Sequence, residues 1–285
     1  MFRFFFLIVL FLVNTSVYAH EFWLVPSSFR PDLLAILAIH TLVGHKFEGE
    51  NFPRNPNHIQ QFIFANINGV APISGMDGKL PAGVMRVRTP GIHTIGYFSN
   101  RSFTELDAAK FEQYLRESGF EHVIDIRAKK NESQKKGLEY FSRCVKTMVA
   151  VNKDFNGPYD HIFGFPLELV PEDNPFIFEG QKEFSVRLLY QGKPLVGVLV
   201  QATPKNNKDQ TWEKRTNEEG RVMIPISCGG AWLINTVHIV ALPAGMEADW
   251  ESFWASLYLE FPEPKPAPDQ ENVEKPKTPK EEEKK

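Results

Sequence analysis

PLVGVLVQATP (Pro194–Pro204), TNEEGRVMIPI (Thr216–Ile226) and GGAWLINTVHIVAL (Gly229–Leu242) decide the fold. Each is a short run of β-branched and apolar residues bounded by Gly, Pro or Asn turns, the pattern of paired strands rather than of helices. Immediately upstream, Phe184, Val186, Leu188 and Tyr190 alternate with polar residues, as a half-buried strand requires. Regularly spaced strands of this kind predict a β-sandwich over residues 166–261.

The same module resembles transthyretin- and immunoglobulin-like domains, scaffolds that host many functions. PLELVPEDNP (Pro166–Pro175) reads as the break before it. Residues 20–165 read as a first β-rich domain. Leu33–Val43 is apolar enough for a strand buried on both faces, and Gln61–Ile67 and Val84–Arg88 are further strands. GIHTIGYFS (Gly91–Ser99) puts Ile92, Thr94, Gly96 and Phe98 on one face and His93, Ile95 and Tyr97 on the other. A helical insertion is expected at about 106–141. Leu106–Phe120 carries Phe111, Tyr114 and Leu115 on one side with Gly119 as its stop; Glu121–Lys130 and Lys135–Phe141 are expected as further helices. The fold class is thus mainly β: two β-sandwich domains, with a small helical insertion in the first.

The two ends read differently. Arg3, the apolar run FFFLIVLFLV and the small-residue pattern Val17-Tyr18-Ala19 describe a secretory signal peptide over residues 1–19. Cleavage after Ala19 makes His20 the first residue, so that its free amine and imidazole can chelate one metal ion; equally, His20 is simply the residue that cleavage leaves. Residues 262–285 are Pro, Glu and Lys with almost nothing apolar, a composition that stays disordered.

Composition limits the function. The chain has 32 basic and 35 acidic residues; without Arg3 the balance is 31 against 35, a net charge near −4. No basic stripe is present to neutralise phosphates, which argues against nucleic acid. The mature chain has no second apolar run of the roughly 20 residues that span a bilayer. The periplasm is the expected compartment. There the two cysteines, Cys144 and Cys228, are expected to form one structural disulfide rather than a metal thiolate pair, a bridge that would contribute about 4 kcal/mol in the chain-entropy model.

Eight histidines are the main chemical resource. No HExxH, GxSxG or GxxxxGK[ST] motif is present, which leaves a serine, cysteine or phosphate-loop chemistry without local support. Neutral imidazole ligates nickel, cobalt, copper and zinc alike. His45 lies in GHKFEGE beside Glu48 and Glu50. His93 lies mid-strand, and His238 shares a strand face with Trp232 and Ile234; each of these two is a ligand or a core histidine. His58, His122 and His161 sit in loop or helical surroundings and read as surface residues.

HEFWLVPSSFRP, VGHKFEGENFPR, GIHTIGY, YFSRC, GFPLELVPEDNP, TNEEGRV and ADWESFWASLYLEF, in order from His20 to Phe261, resemble the exported domain-of-unknown-function family 4198. That family carries the label of a periplasmic component of cobalt/nickel transport. The resemblance implies a β-rich periplasmic protein that binds a divalent transition metal, nickel or cobalt with copper or zinc also open, and hands it to an inner-membrane uptake transporter. The expected metal ligands are His20, His45, His93 and His238. Cys144 matches a frequent family cysteine and Cys228 does not. Two alternatives stand beside this expectation: a copper histidine-brace oxidative enzyme, and an adhesion or scaffold module without metal.

Overall fold

A computed structural model describes residues 21–178 and 183–263. The expected signal peptide, His20 and the charged tail beyond Glu263 lie outside the described residues.

The chain opens with β1 (Glu21–Pro26), β2 (Ile36–His45) and β3 (Glu48–Phe52), followed by β4 (Ile59–Asn66), β5 (Gly69–Pro72), β6 (Gly83–Arg86), β7 (Gly91–Ser99) and β8 (Ser102–Leu106). Helices α1 (Ala108–Glu117) and α2 (Glu121–Lys129) come next, then the 15-residue β9 (Gly137–Val151). The remainder is β10 (Leu167–Pro171), β11 (Glu183–Tyr190), β12 (Lys193–Pro194), β13 (Leu199–Pro204), β14 (Trp212–Arg215), β15 (Arg221–Pro225), β16 (Gly230–Ala241) and β17 (Trp250–Phe261). The fold is mainly β, as expected.

A nine-stranded sheet runs β14-β13-β16-β17-β9-β7-β4-β5, with β8 also on β9. All its pairings are antiparallel except β17 with β9, which aligns Trp250 with Glu139 and Tyr258 with Thr147 in parallel. The sheet therefore draws strands from both sides of the expected boundary at residues 165 and 166. Strand alternation divides its side chains between two faces. On the first face, Ile95, Tyr97, Val145 and Val149 pack under the small sheet of β1, β2, β3 and β6 through Leu24, Leu37 and Ile39. On the second, Ile92, Met148, Ile234 and Leu257 pack under the small sheet of β10, β11, β12 and β15 through Leu169, Phe184 and Val186. The two sandwiches share their middle layer, and the shared sheet is buried on both sides by apolar packing that supplies most of the folding energy.

The helical pair covers the rest of the first face. Phe111, Tyr114 and Leu115 recur at helical spacing and bury against Ile239, Trp250 and the part-buried Trp254. Gly119 follows at φ +73°, a left-handed position that ends the helix; a Cβ there would come within 3.1 Å of Leu199. Arg127, 1% exposed, ties the insertion together by donating to Glu112 Oε1 (3.1 Å) and to the carbonyls of Glu132 (2.9 Å) and Lys135 (2.7 Å).

Three expectations need correction. The segment Lys135–Phe141 is not a helix: β9 begins at Gly137, because its partners β8 and β17 are long-range contacts that local periodicity does not reveal. The apolar run from Leu33 is not buried on both faces. Leu33 and Leu34 are exposed, and β2 then turns Leu37, Ile39 and Thr41 inward in alternation. Cys144 and Cys228 are free thiols. Cys144 sits in the row of Ala255, whereas Cys228 lies two residues before Gly230, which pairs with Phe261. Six strand residues separate those rows, roughly 20 Å at about 3.3 Å per residue, well beyond disulfide reach.

Candidate functional site

A cleft of about 520 Å³ opens on the first face of the large sheet, between the β2–β3 hairpin and the helical pair. Its floor is formed by β9, β16 and β17, and its size suits a small molecule.

One wall begins at Glu21. Its carboxylate accepts from the backbone N–H of Lys46 (3.0 Å) and from Asn235 Nδ2 (2.9 Å), joining β1 to the hairpin and to β16. Burial pushes the Glu21 carboxyl above its ordinary pKa, and the two hydrogen bonds oppose that shift. The hairpin turn is Lys46-Phe47, both at positive φ (48° and 64°), as a two-residue hairpin loop of the primed type demands. Neither residue is glycine. Phe47 is held there by the rings of Trp23 and Tyr258, at centroid distances of 6.3 and 6.1 Å.

The opposite wall is the helix turn. Arg215 donates to the Gly119 carbonyl (3.1 Å) and to both Glu121 oxygens (3.1 and 2.8 Å), fastening the turn to β14.

The floor carries the unusual chemistry. Arg143, part-buried on β9, lies opposite Trp254 in the parallel register. Its guanidinium sits 4.8 Å from the Trp254 ring and 5.2 Å from the Phe141 ring. Among the described residues it has no hydrogen-bond acceptor and no carboxylate within ion-pair distance. Burial pushes its pKa down to about 10. Glu139, four residues earlier on the same face, is already engaged: its Oε1 accepts from Ser252 Oγ at short range and from Tyr114 Oη at 3.4 Å. Burial pushes Glu139 up to about 7. Trp254 is fixed by its Nε1 donating to Ser252 Oγ (2.9 Å) and by stacking on Tyr114, 5.5 Å between centroids.

The expected ligand residues separate. His45 is exposed on the rim of this cleft. His93 is buried on the first face, with Nε2 2.9 Å from the Thr89 carbonyl and its ring stacked on Phe64. Its Nδ1 is buried without a hydrogen-bond partner among the described residues, and burial lowers its pKa, so it is a neutral core imidazole. His238 projects from the second face against Tyr190, 4.5 Å between centroids, where burial pushes its pKa down to about 4. His93 and His238 thus point away from each other through the sheet. The described residues contain no group of three His, Cys, Asp or Glu side chains able to hold a metal.

Arg143, Trp254 and Glu21 were not among the residues singled out from the sequence. A signal for Arg143 exists: strand alternation puts it on the same inward face as Val145 and Val149, where an unpaired charge is costly.

Fold and site together define a three-layer β-protein with a ligand-sized cleft of mixed charge on one side of its central sheet. The chain belongs to the DUF4198 family, a domain of unknown function whose family model matches residues 17–240. Among curated proteins nothing matches. Among solved structures the chain is similar to dimeric latent PorU from Porphyromonas gingivalis, at 11% identity and a TM-score of 0.20. That similarity covers 85% of this chain and 20% of PorU.

Proposed function

We propose that the mature protein is a periplasmic divalent transition-metal binding protein that supports nickel or cobalt uptake, with the ion held at the mouth of the cleft. The observation that supports this most is the register of the first strand pair, which sets Glu21 opposite Gly44 and makes His45 the next position on the partner strand. His20 is joined to Glu21, one Cα step of about 3.8 Å away. Cleavage after Ala19 would add a free amine to the two imidazoles of His20 and His45, three nitrogen donors in all. Copper and zinc suit the same donors, and copper binds them more strongly than nickel or cobalt. His93 and His238 drop out of the ligand set because of their placement on opposite faces. The ion is cargo, and an inner-membrane uptake transporter is its proposed recipient.

Metal analysis of the untagged protein purified from the periplasm, followed by calorimetry with nickel, cobalt, copper and zinc, tests the reading. His45→Ala and an extra residue placed before His20 should each weaken binding at least tenfold, while His238→Ala leaves it unchanged. Affinity should fall as pH drops through the histidine range, because protonated imidazole cannot ligate. Absence of metal from the purified protein together with no calorimetric binding refutes the proposal.

A further inference from the structure

We propose that the floor of the cleft is a binding site for a small organic carboxylate, held by the guanidinium of Arg143 with its apolar body along Trp254. This site needs no metal and does not rest on the metal-binding reading.

The case begins with an unbalanced charge. A guanidinium offers five N–H donors in its plane. The rings of Trp254 and Phe141 lie 4.8 and 5.2 Å away, and among the described residues no acceptor takes up those donors. A partly buried cation with no acidic partner costs free energy unless something supplies the acceptor. The other arginines of the cleft are answered locally: Arg215 pairs with Glu121 at 2.8 Å, and Arg116 lies 3.7 Å from Glu112. Glu139, a carboxyl that acts electrostatically on Arg143, has its Oε1 bonded to Ser252 and Tyr114 and, among the described residues, forms no ion pair with the guanidinium. Arg143 therefore stands ready for an acceptor that enters from the cleft.

The surroundings choose the acceptor's class. A carboxylate matches the guanidinium fork with two parallel hydrogen bonds. Glu21, Glu117 and Glu213 line the same cleft and disfavour a multiply charged anion such as phosphate. Trp254, part-buried and braced by Tyr114 and Ser252, lines the cleft beside Arg143 as a fixed apolar side chain that an apolar or aromatic body can contact. The volume of about 520 Å³ admits a ligand of that size.

Calorimetry and tryptophan fluorescence on the full mature protein, in buffer containing EDTA, test the site with benzoate and acetate as probes. Benzamide serves as the neutral control and inorganic phosphate as the competing anion. Benzoate should bind saturably, more tightly than acetate, and benzamide should not bind. Arg143→Met should weaken benzoate at least tenfold. A wild-type measurement guards against misfolding of that variant: benzoate should protect Arg143 from phenylglyoxal, as located by peptide mass, and benzamide should not. The proposal is overturned by failure of both carboxylates to bind, by unchanged affinity in a folded Arg143→Met protein, or by phosphate binding more tightly than benzoate. Benzoate binding that appears only when nickel replaces EDTA in the buffer would also overturn it, which separates its failure from that of the metal reading.

Discussion

His93 and His238 project from opposite faces of one sheet, with β9 and β17 between their strands. His93 aligns with Val149, whereas His238 aligns through Phe253 with Ser142. The seven-residue offset along β9 adds roughly 20 Å to the separation. Each imidazole therefore answers to its own packing, and both are held neutral by burial.

That neutrality fixes a pH dependence. A histidine whose folded pKa is depressed takes up its proton more readily when unfolded, so stability falls as pH drops below the ordinary value near 6.5. For His238 the loss should run from about pH 6.5 down to its folded value of about 4. Because the ring is only half-buried, solvent screening should hold the effect to about 1–2 kcal/mol. His238→Phe, which keeps the contact with Tyr190, should flatten the acid limb of urea-derived stability between pH 6.5 and 4. An unchanged acid limb would show that His238 carries none of it.

Lys146 and Glu168 form a second test. Their 3.0 Å ion pair is 1% exposed on both sides, and its remaining bonds run to backbone. Lys146 Nζ donates to the His161 carbonyl (2.8 Å), while Glu168 accepts from the N–H groups of Phe163 (2.8 Å) and Gly164 (3.0 Å). The pair thus pins the segment before β10 onto β9. Lys146→Met leaves an uncompensated buried carboxylate and should cost about 3–5 kcal/mol in urea melts. Combining it with Glu168→Gln should cost less than the sum of the single changes, because they share one network. Strict additivity would show that the two residues act separately.

Local pattern made much of this fold legible. Gly91–Ser99 appears as β7 with the expected division of faces, and Phe111, Tyr114 and Leu115 form the buried side of α1. What local pattern could not carry was the long-range pairing. Nothing near Lys135 announces that β9 will run parallel to β17, more than a hundred residues later, and the polar start of β9 has helical spacing by coincidence. The same blindness affected the site. His93 and His238 are both strand histidines, and only the order of strands between them, with the parity of each, shows that they diverge. Arg143 was hidden for a related reason: the cleft exists only once β17 lies beside β9 and the helices fold back over both.

Both cysteines should titrate as thiols when the non-reduced protein is unfolded, and reductant should leave the melting temperature unchanged. In the folded protein only Cys228 should react. Cys144 is buried in the core of the second face, and burial pushes its thiol up to about 12, so almost no thiolate is present. Two reactive thiols under native conditions would mean that β9 opens to solvent.

Glu139 should oppose the histidines in pH dependence. Its carboxyl is 2% exposed, with Oε1 bonded and Oε2 lacking a partner among the described residues. Burial raises its folded pKa from 4.5 to about 7. The folded state therefore favours the protonated acid, so its stabilising contribution is complete below pH 4.5 and is lost as pH rises toward 7. At about 1.4 kcal/mol per pKa unit the loss is on the order of 3 kcal/mol. Glu139→Gln keeps an acceptor for Ser252 and Tyr114 and removes the titration. The variant should melt higher than the native protein at pH 8 and close to it at pH 4.5. Equal melting temperatures at pH 8 would mean that the ionised carboxylate is well stabilised in the folded protein.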